Sequence, residues 1–542
     1  MMKLSLNGLQ DNQAWKAVGI ALPDYDVEAL QKRTKEKPEW VHFGIGNIFR
    51  IFLGGIADDL ITQGLMDTGI ICAETFDTDI IDKIYTPYDN LCLGVILNKD
   101  GSMDKRVIGS LAECVKARKD DGTGWARLKE IFSAPSLKMV SFTITEKGYN
   151  LRKTDGSYLE YVQRDIENGP DECSGAIAVV TAMLFERWNA GGVPITLSSM
   201  DNCSHNGSLL RSSVITMANE WGKHGFLEDD FLNWVQDETK VSFPWSMIDK
   251  ITPRPAEFVA EVLKKDGVEG QDIIVTSKNT YIAPFVNAEK PQYLVIEDSF
   301  PNGRPALEHG GVYMTDRETV DCSERMKVTA CLNPIHTALA PYGMLLGYEY
   351  FADIMNDPEL KILAHNVGYI EGLPCVEDPG IFSPKAFLDE VIEERLPNKY
   401  LGDTTARICT DSSQGVGVRF GETIRSYVNE YGTASGLKAI PLALAGWMRY
   451  FYAVDDMGKP FTLAPDPLAQ ELHDVVSEVK LGEPESLRDQ LHAILSNKEI
   501  FGIDLYEAGV AQKIEEFFKE EISGTGAVRA TCLLYTSDAA DE

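Results

Sequence analysis

The segment ERMKVTACLNPIHTALA, residues 324–340, sets Lys327, Asn333 and His336 among Met, Val, Ala, Cys, Leu and Ile. An ammonium group in apolar surroundings snorkels, pairs with a carboxylate or gives up its proton. A lysine that gives up its proton is a general base. At about 100° per residue, Asn333 and His336 lie about 60° apart and share a helix face. Lys327 and His336, nine residues apart, fall on opposite faces of an unbroken helix. Pro334 removes a helical N–H and can start a new helix with Asn333 as N-cap, so a break or bulge would bring the lysine round. The spacing alone also fits a surface lysine beside a core histidine.

Other segments could hold a ligand. GIGNIF carries Gly44, Gly46 and Asn47 where a strand-like run gives way to a helical one. Glycines there let the backbone approach a pyrophosphate, and a helix N-terminus adds positive potential. Phe49 stands where G-x-G-x-x-G has its third glycine, and a tight structural turn fits almost as well. Glu74 ends the next strand-like run, IICAET, 28 residues beyond Gly46. A carboxylate there holds ribose hydroxyls and opposes a ribose phosphate, which favours NAD over NADP. Asp77 competes for that role, and a solvated strand-end acid is the plain alternative. SFTITEKGY and LSSMDNCSHNG each end a strand-like run in polar residues; Asn202 could donate to an alkoxide, or Asp201-Asn202 could simply form a turn.

These residues need a scaffold. In the first half, short Val-, Ile- and Thr-rich runs alternate with amphipathic stretches, the pattern of a parallel sheet covered by helices. The strand candidates are EWVHFGIG, TGIICAET, LKMVSFTIT, VPITLSSM and PQYLVIED. Beyond EDSFPNGRPALEHGG helical patterns take over, as in SPKAFLDEVIEERL and GLKAIPLALAGWMRYFYAV. The reading is an α/β domain over residues 1–315 and a mainly helical domain over 316–531. The last stretch, CLLYTSDAADE (532–542), resembles translated adapter sequence and is set aside.

Composition narrows the partners. With 542 residues and a formal charge of −32 the chain lacks the basic footprint of a nucleic-acid binder. No apolar run has the length of a membrane span. Ten cysteines and eight histidines are scattered with no C-x-x-C or H-E-x-x-H, so nothing in the spacing asks for a metal, and a reducing cytoplasm fits best. The oligomeric state is not legible.

Together the segments HFGIGNIFR, TITEKGY, MDNCSHNG, FPWSMIDKITP, VIEDSFPNGRP, ERMKVTACLNPIHTALA, VEDPG and ARICTDSSQGVGVRF resemble, in order, the mannitol dehydrogenase family of long-chain polyol and aldonate dehydrogenases. The resemblance implies a metal-independent, NAD(P)-dependent oxidoreductase acting on a small sugar or sugar acid. It implies a Rossmann-type N-terminal domain, a helical C-terminal domain and a site in the cleft between them. It makes Lys327 the general acid/base, Asn202 and Asn333 the alkoxide donors, His336 the substrate-orienting group, Glu324 the proton relay and Arg407 a substrate contact. Gly44, Gly46, Asn47 and Glu74 are the cofactor residues, with NAD preferred.

Three positions depart from the family pattern. The Lys327–Asn333 spacing is one residue longer, Lys250 replaces an arginine, and Gly415 stands where a substrate-binding lysine is expected. Arg407 and Arg419 flank that glycine. A keturonate carboxylate calls for a cation, which an arginine suits best, although both could equally pair with acidic side chains. The expectation leans slightly toward a fructuronate or tagaturonate reductase, D-mannonate oxidoreductase-like. The alternatives are mannitol 2-dehydrogenase acting on fructose or, from another class, a non-catalytic nucleotide-binding relative.

Overall fold

The structure, a computed structural model, describes residues 1–537. The chain divides into two compact units, Met1–Asp321 and Cys322–Glu542.

The centre of the first unit is a parallel six-stranded sheet made of β1 (Trp40–Phe43), β2 (Ile70–Glu74), β3 (Leu111–Lys116), β4 (Met139–Phe142), β5 (Ile195–Ser199) and β6 (Val241–Ser242). Its spatial order is β3-β2-β1-β4-β5-β6. This is the Rossmann order, in which the chain reverses direction across the sheet between β1 and β4. Alternate residues of a strand serve opposite faces. Val41 and Phe43 of β1 join the cluster that holds Leu128, Val180 and Leu210, from helices α2 (Gly122–Ser133), α3 (Ala176–Asn189) and α4 (Asn206–Lys223). Trp40 joins the cluster on the other face with Phe52, Ile56 and Leu60, from a π-turn at Phe49–Leu53 and helix α1 (Gly54–Thr62) that continues it. Burial on both faces explains the nearly continuous apolar runs that made these strands readable.

One expectation needs correction, and two strands were missed. PQYLVIED does form a strand, Tyr293–Glu297, but outside the parallel sheet. It pairs antiparallel with Ser246–Asp249 and parallel with Tyr313–Thr315 in a separate three-stranded sheet. Two strands of the main sheet, β3 and β6, carried no clear signal. β3 reads LAECVK, with half-buried Glu113 and Cys114, and β6 is only two residues long.

Beyond residue 315 no strand is present among the described residues. Helix α5 (Arg317–Met326) runs into a π-turn at Lys327–Cys331, and helix α6 (Asn333–Leu346) follows. Further on come the short helices α7 (Thr405–Ile408) and α8 (Ser412–Val416), then α9 (Ala439–Tyr450). Every residue of α9 is buried, as expected for a helix that is apolar on all sides. α6 and Ala511–Glu521 both pack on it. The N-terminus of α9 is held by the buried Glu371 carboxylate, which accepts from the amides of Ala439 and Ile440 at 2.7 Å each. Of the C-terminal stretch set aside from sequence, Cys532–Ser537 belongs to the helix Ala527–Ser537, and 538–542 lie outside the described residues.

Candidate active site

The β1–β4 switch point is where an open parallel sheet receives its ligand. β1 ends at Phe43, and Gly44 takes φ +88°. A Cβ there would lie 2.1 Å from the Thr143 carbonyl oxygen, so this glycine is required by the turn itself. Gly46 is different. A Cβ on it would meet nothing within 4 Å, so packing does not require glycine, and the open space suits the close approach of a pyrophosphate. Asn47 opens the helix, with the Arg50 amide donating to the Gly46 carbonyl at 3.1 Å. The Asn47 Oδ1 accepts from Arg50 Nη2 at 3.0 Å.

Glu74 ends β2 and is buried, which removes the solvated-acid alternative. Its Oε1 accepts from the amides of Phe76 (2.8 Å) and Asp77 (3.3 Å), and its Oε2 from the Ile45 amide (3.4 Å). The carboxylate thus ties the glycine turn to the loop after β2. Asp77 is occupied elsewhere, its Oδ2 accepting from the Thr276 hydroxyl at 2.7 Å.

Three residues beneath the turn were not singled out from sequence. His42 reaches Ser141 Oγ through Nδ1 (2.7 Å) and Thr143 Oγ1 through Nε2 (2.8 Å). The Thr143 hydroxyl in turn donates to the Gly44 carbonyl at 2.7 Å. Burial pushes the His42 imidazole down to about 3, so it is neutral and serves as a hydrogen-bonding brace. Phe49, standing at the missing third glycine, stacks on that imidazole with centroids 4.0 Å apart.

The loops after β4 and β5 are joined by Asp201. Its carboxylate accepts from the amides of Ile144 (2.8 Å) and Thr145 (3.0 Å) and from the Tyr149 hydroxyl (2.6 Å). Thr145 holds φ +65°, a strained conformation for a β-branched residue. Asn206, fully buried, donates to the Asp201 carbonyl and to Ser246. The exposed Asn202 sits between these two anchors. Asp201-Asn202 thus forms a loop, and a loop pinned at both flanks by side-chain hydrogen bonds.

In the second unit Lys327 is 1% exposed, which rules out a surface lysine. It opens the π-turn, closed by the Leu332 amide donating to the Lys327 carbonyl at 3.1 Å. Leu332 then breaks the helix, and α6 starts with Asn333 as its first helical residue. The capping position is therefore Leu332 and not Asn333, while Pro334 occupies the first turn as its missing N–H allows. The longer lysine–asparagine spacing coincides with this π-turn, and a π-turn is how a helix takes up an added residue. Glu324 lies one turn before Lys327 on α5 and is half-buried.

His336 faces a group of charges. Burial lowers its pKa to about 4; Asp403 pulls it upward, and Arg395, Arg407 and Arg419 push it down. Its ring meets Phe351 edge-on at 4.9 Å. Its Nε2 is buried without a hydrogen-bond partner among the described residues, so it is not a satisfied core histidine. Arg407 is paired with Asp403. Gly415 lies in α8, whose start is fixed by Asp466 accepting from the Ser413 amide at 2.8 Å and the Ser412 hydroxyl at 3.0 Å. Asp403 and Asp466 were not singled out from sequence, since an acid outside a motif carries no signal of its own.

Among the described residues no group of three or more His, Cys, Asp or Glu side chains could hold a metal ion, and no helix is long and apolar enough to cross a membrane.

Comparison with known proteins bears on both units. Residues 38–309 match the mannitol dehydrogenase Rossmann domain and residues 319–521 the mannitol dehydrogenase C-terminal domain. A D-mannonate oxidoreductase of Thermotoga maritima is 51% identical over 533 residues, 98% of each chain. A D-sorbitol dehydrogenase solved in substrate-free form superposes with a TM-score of 0.76 at 25% identity, over 94% of this chain and 97% of that one. The mannitol 2-dehydrogenase of Pseudomonas fluorescens, solved with NAD and D-mannitol, shares the fold at a TM-score of 0.70 and 24% identity, over the whole of both chains. With both domain models matched in order, the chain belongs to the mannitol dehydrogenase family.

Proposed function

We propose that this protein is an NAD-dependent oxidoreductase that interconverts an aldonate and the corresponding keturonate, with D-mannonate and fructuronate as the first pair to test. The observation that carries this reading is the 51% identity, over nearly all of both chains, to a D-mannonate oxidoreductase. Dinucleotide binding is assigned to the first unit.

The residues present suit a dinucleotide. Gly46 leaves open space at the start of a helix, and Glu74 lies buried at the end of β2 beside the glycine turn. The chemistry a nicotinamide cofactor supplies is the acceptor, or in reverse the donor, of hydride. In the oxidation direction Lys327 takes the hydroxyl proton, and in reduction it returns it. Asn202 and Asn333 donate hydrogen bonds to the oxygen as negative charge develops, stabilisation a metal ion would otherwise provide. His336, neutral at working pH because it is buried, orients the substrate through Nε2. Glu324 passes the proton between Lys327 and solvent, and Arg407 contacts the substrate.

The test is NADH oxidation with fructuronate, tagaturonate and fructose at matched concentrations, repeated with NADPH and after EDTA treatment. A higher kcat/KM for a keturonate than for fructose, a preference for NADH and survival of EDTA are expected. Higher efficiency with fructose would replace this reading with a mannitol 2-dehydrogenase, and no turnover of any of the three would favour a non-catalytic relative.

A further inference from the structure

We propose that Arg419 is the residue that receives the substrate carboxylate and so sets the choice of a sugar acid over a neutral sugar. The inference rests on the aldonate–keturonate reading and adds the group that enforces it.

Arg419 follows Gly415 by four residues, one helical turn, and its guanidinium lies over that glycine. A Cβ on residue 415 would stand 2.7 Å from Arg419 Cζ, 2.8 Å from Nε and 3.1 Å from Nη1. Any side chain at 415 would therefore have to displace the guanidinium. The glycine and the arginine act as a pair, the first clearing the space that the second fills.

The guanidinium is also aimed. Nη1 donates to the Thr337 hydroxyl at 2.7 Å, and Thr337 directly follows His336, whose buried Nε2 lacks a partner. This one hydrogen bond anchors the fork to the first turns of α6, close enough to His336 for its charge to lower the imidazole pKa. The two arginines flanking Gly415 differ in their partners. Arg407 is paired with Asp403, whereas Arg419 makes no ion pair among the described residues. Arg425, half-buried like Arg419, is paired with Glu422. Arg187 and Arg449, which are buried and likewise make no ion pair among the described residues, donate instead to five and two backbone carbonyls. Arg419 has only the Thr337 hydroxyl among the described residues, and a desolvated cation is costly unless an anion or several acceptors compensate. Burial alone lowers its pKa, with no carboxylate opposing it. A bound carboxylate would supply the compensation, in the two-pronged geometry that arginine offers and lysine does not.

The experiment compares kcat/KM for a keturonate and for fructose in wild type, Arg419→Met, Arg419→Lys and Gly415→Ala, with NADH affinity read separately by fluorescence. Losing one partner of a desolvated charge pair should lower keturonate kcat/KM about 10²–10³-fold in Arg419→Met, mainly through KM. Efficiency with fructose and affinity for NADH should be unchanged. Arg419→Lys should lose less, and Gly415→Ala should show the same selective loss with the arginine still present, because its methyl collides with the guanidinium. Equal loss on both substrates would make Arg419 a purely structural tie to Thr337 and overturn the assignment. A keturonate preference that persists in Arg419→Met would overturn the assignment while leaving the proposed function intact. A wild-type enzyme with no keturonate preference would overturn both.

Discussion

Lys327 is buried and His336 half-buried with its Nε2 enclosed, yet the two are proposed to work from different states. The lysine must exchange a proton in each turnover, so Lys327→Ala should lower kcat by about 10²–10⁴-fold, the usual range for losing a general acid–base group. NADH binding should hardly change. Near-normal turnover would remove Lys327 from the mechanism. The histidine should not titrate in the working range. Its folded pKa of about 4 lies below the ordinary value of 6.5, so between those limits the unfolded chain binds a proton that the native chain refuses. Stability contributed by neutral His336 is thus complete above about pH 6.5 and is lost as pH falls toward 4, with a slope of at most about 1.4 kcal/mol per pH unit. Urea midpoints at pH 7, 5.5 and 4.5 should fall less steeply in His336→Gln than in the wild type. Equal slopes would show that the imidazole is not held neutral by burial.

At the scale of elements, the two glycines of the first turn make a paired prediction. Gly44→Ala forces a Cβ into the Thr143 carbonyl at a positive φ and should destabilise the first unit by several kcal/mol, on the order expected for backbone strain plus overpacking. Gly46→Val meets no protein atom at its Cβ, so its melting temperature should stay close to wild type while NADH affinity drops at least about tenfold. Intact NADH binding in Gly46→Val would show that the open space is not the pyrophosphate site. The sequence carried these elements unevenly, for physical reasons. β1, β2, β4 and β5 are buried on both faces and read as apolar runs, whereas β3 exposes part of Glu113 and β6 is too short to have a period. PQYLVIED has the same texture as the parallel strands, and composition does not say which sheet a strand joins. Around Lys327 the 100° rule put the lysine and His336 on opposite faces of an unbroken helix, and Pro334 offered a place for a break, which falls at Leu332. The π-turn was invisible because it depends on which backbone bonds form and not on residue type. The braces His42, Thr143 and Asp201 act through contacts between loops far apart in sequence, which spacing cannot reveal.

At the scale of the whole molecule, the net charge of −32 and the arginines near His336 act on an anionic substrate in opposite senses. The surface charge repels it at a distance, and that repulsion is reduced by salt. The Debye length shrinks from about 30 Å at 0.01 M to about 8 Å at 0.15 M. The short-range attraction of a partly buried guanidinium is screened much less. Raising ionic strength over this range, with NADH saturating and substrate well below KM, should therefore increase kcat/KM for a keturonate by roughly a few-fold. Efficiency with uncharged fructose should stay flat. The slope belongs to the surface as a whole, so Arg419→Met should keep it while losing most of its absolute keturonate efficiency. A keturonate efficiency that instead fell with salt would mean that the arginines project their field into solvent and steer the substrate in, and the overall acidity would then play no part in its approach.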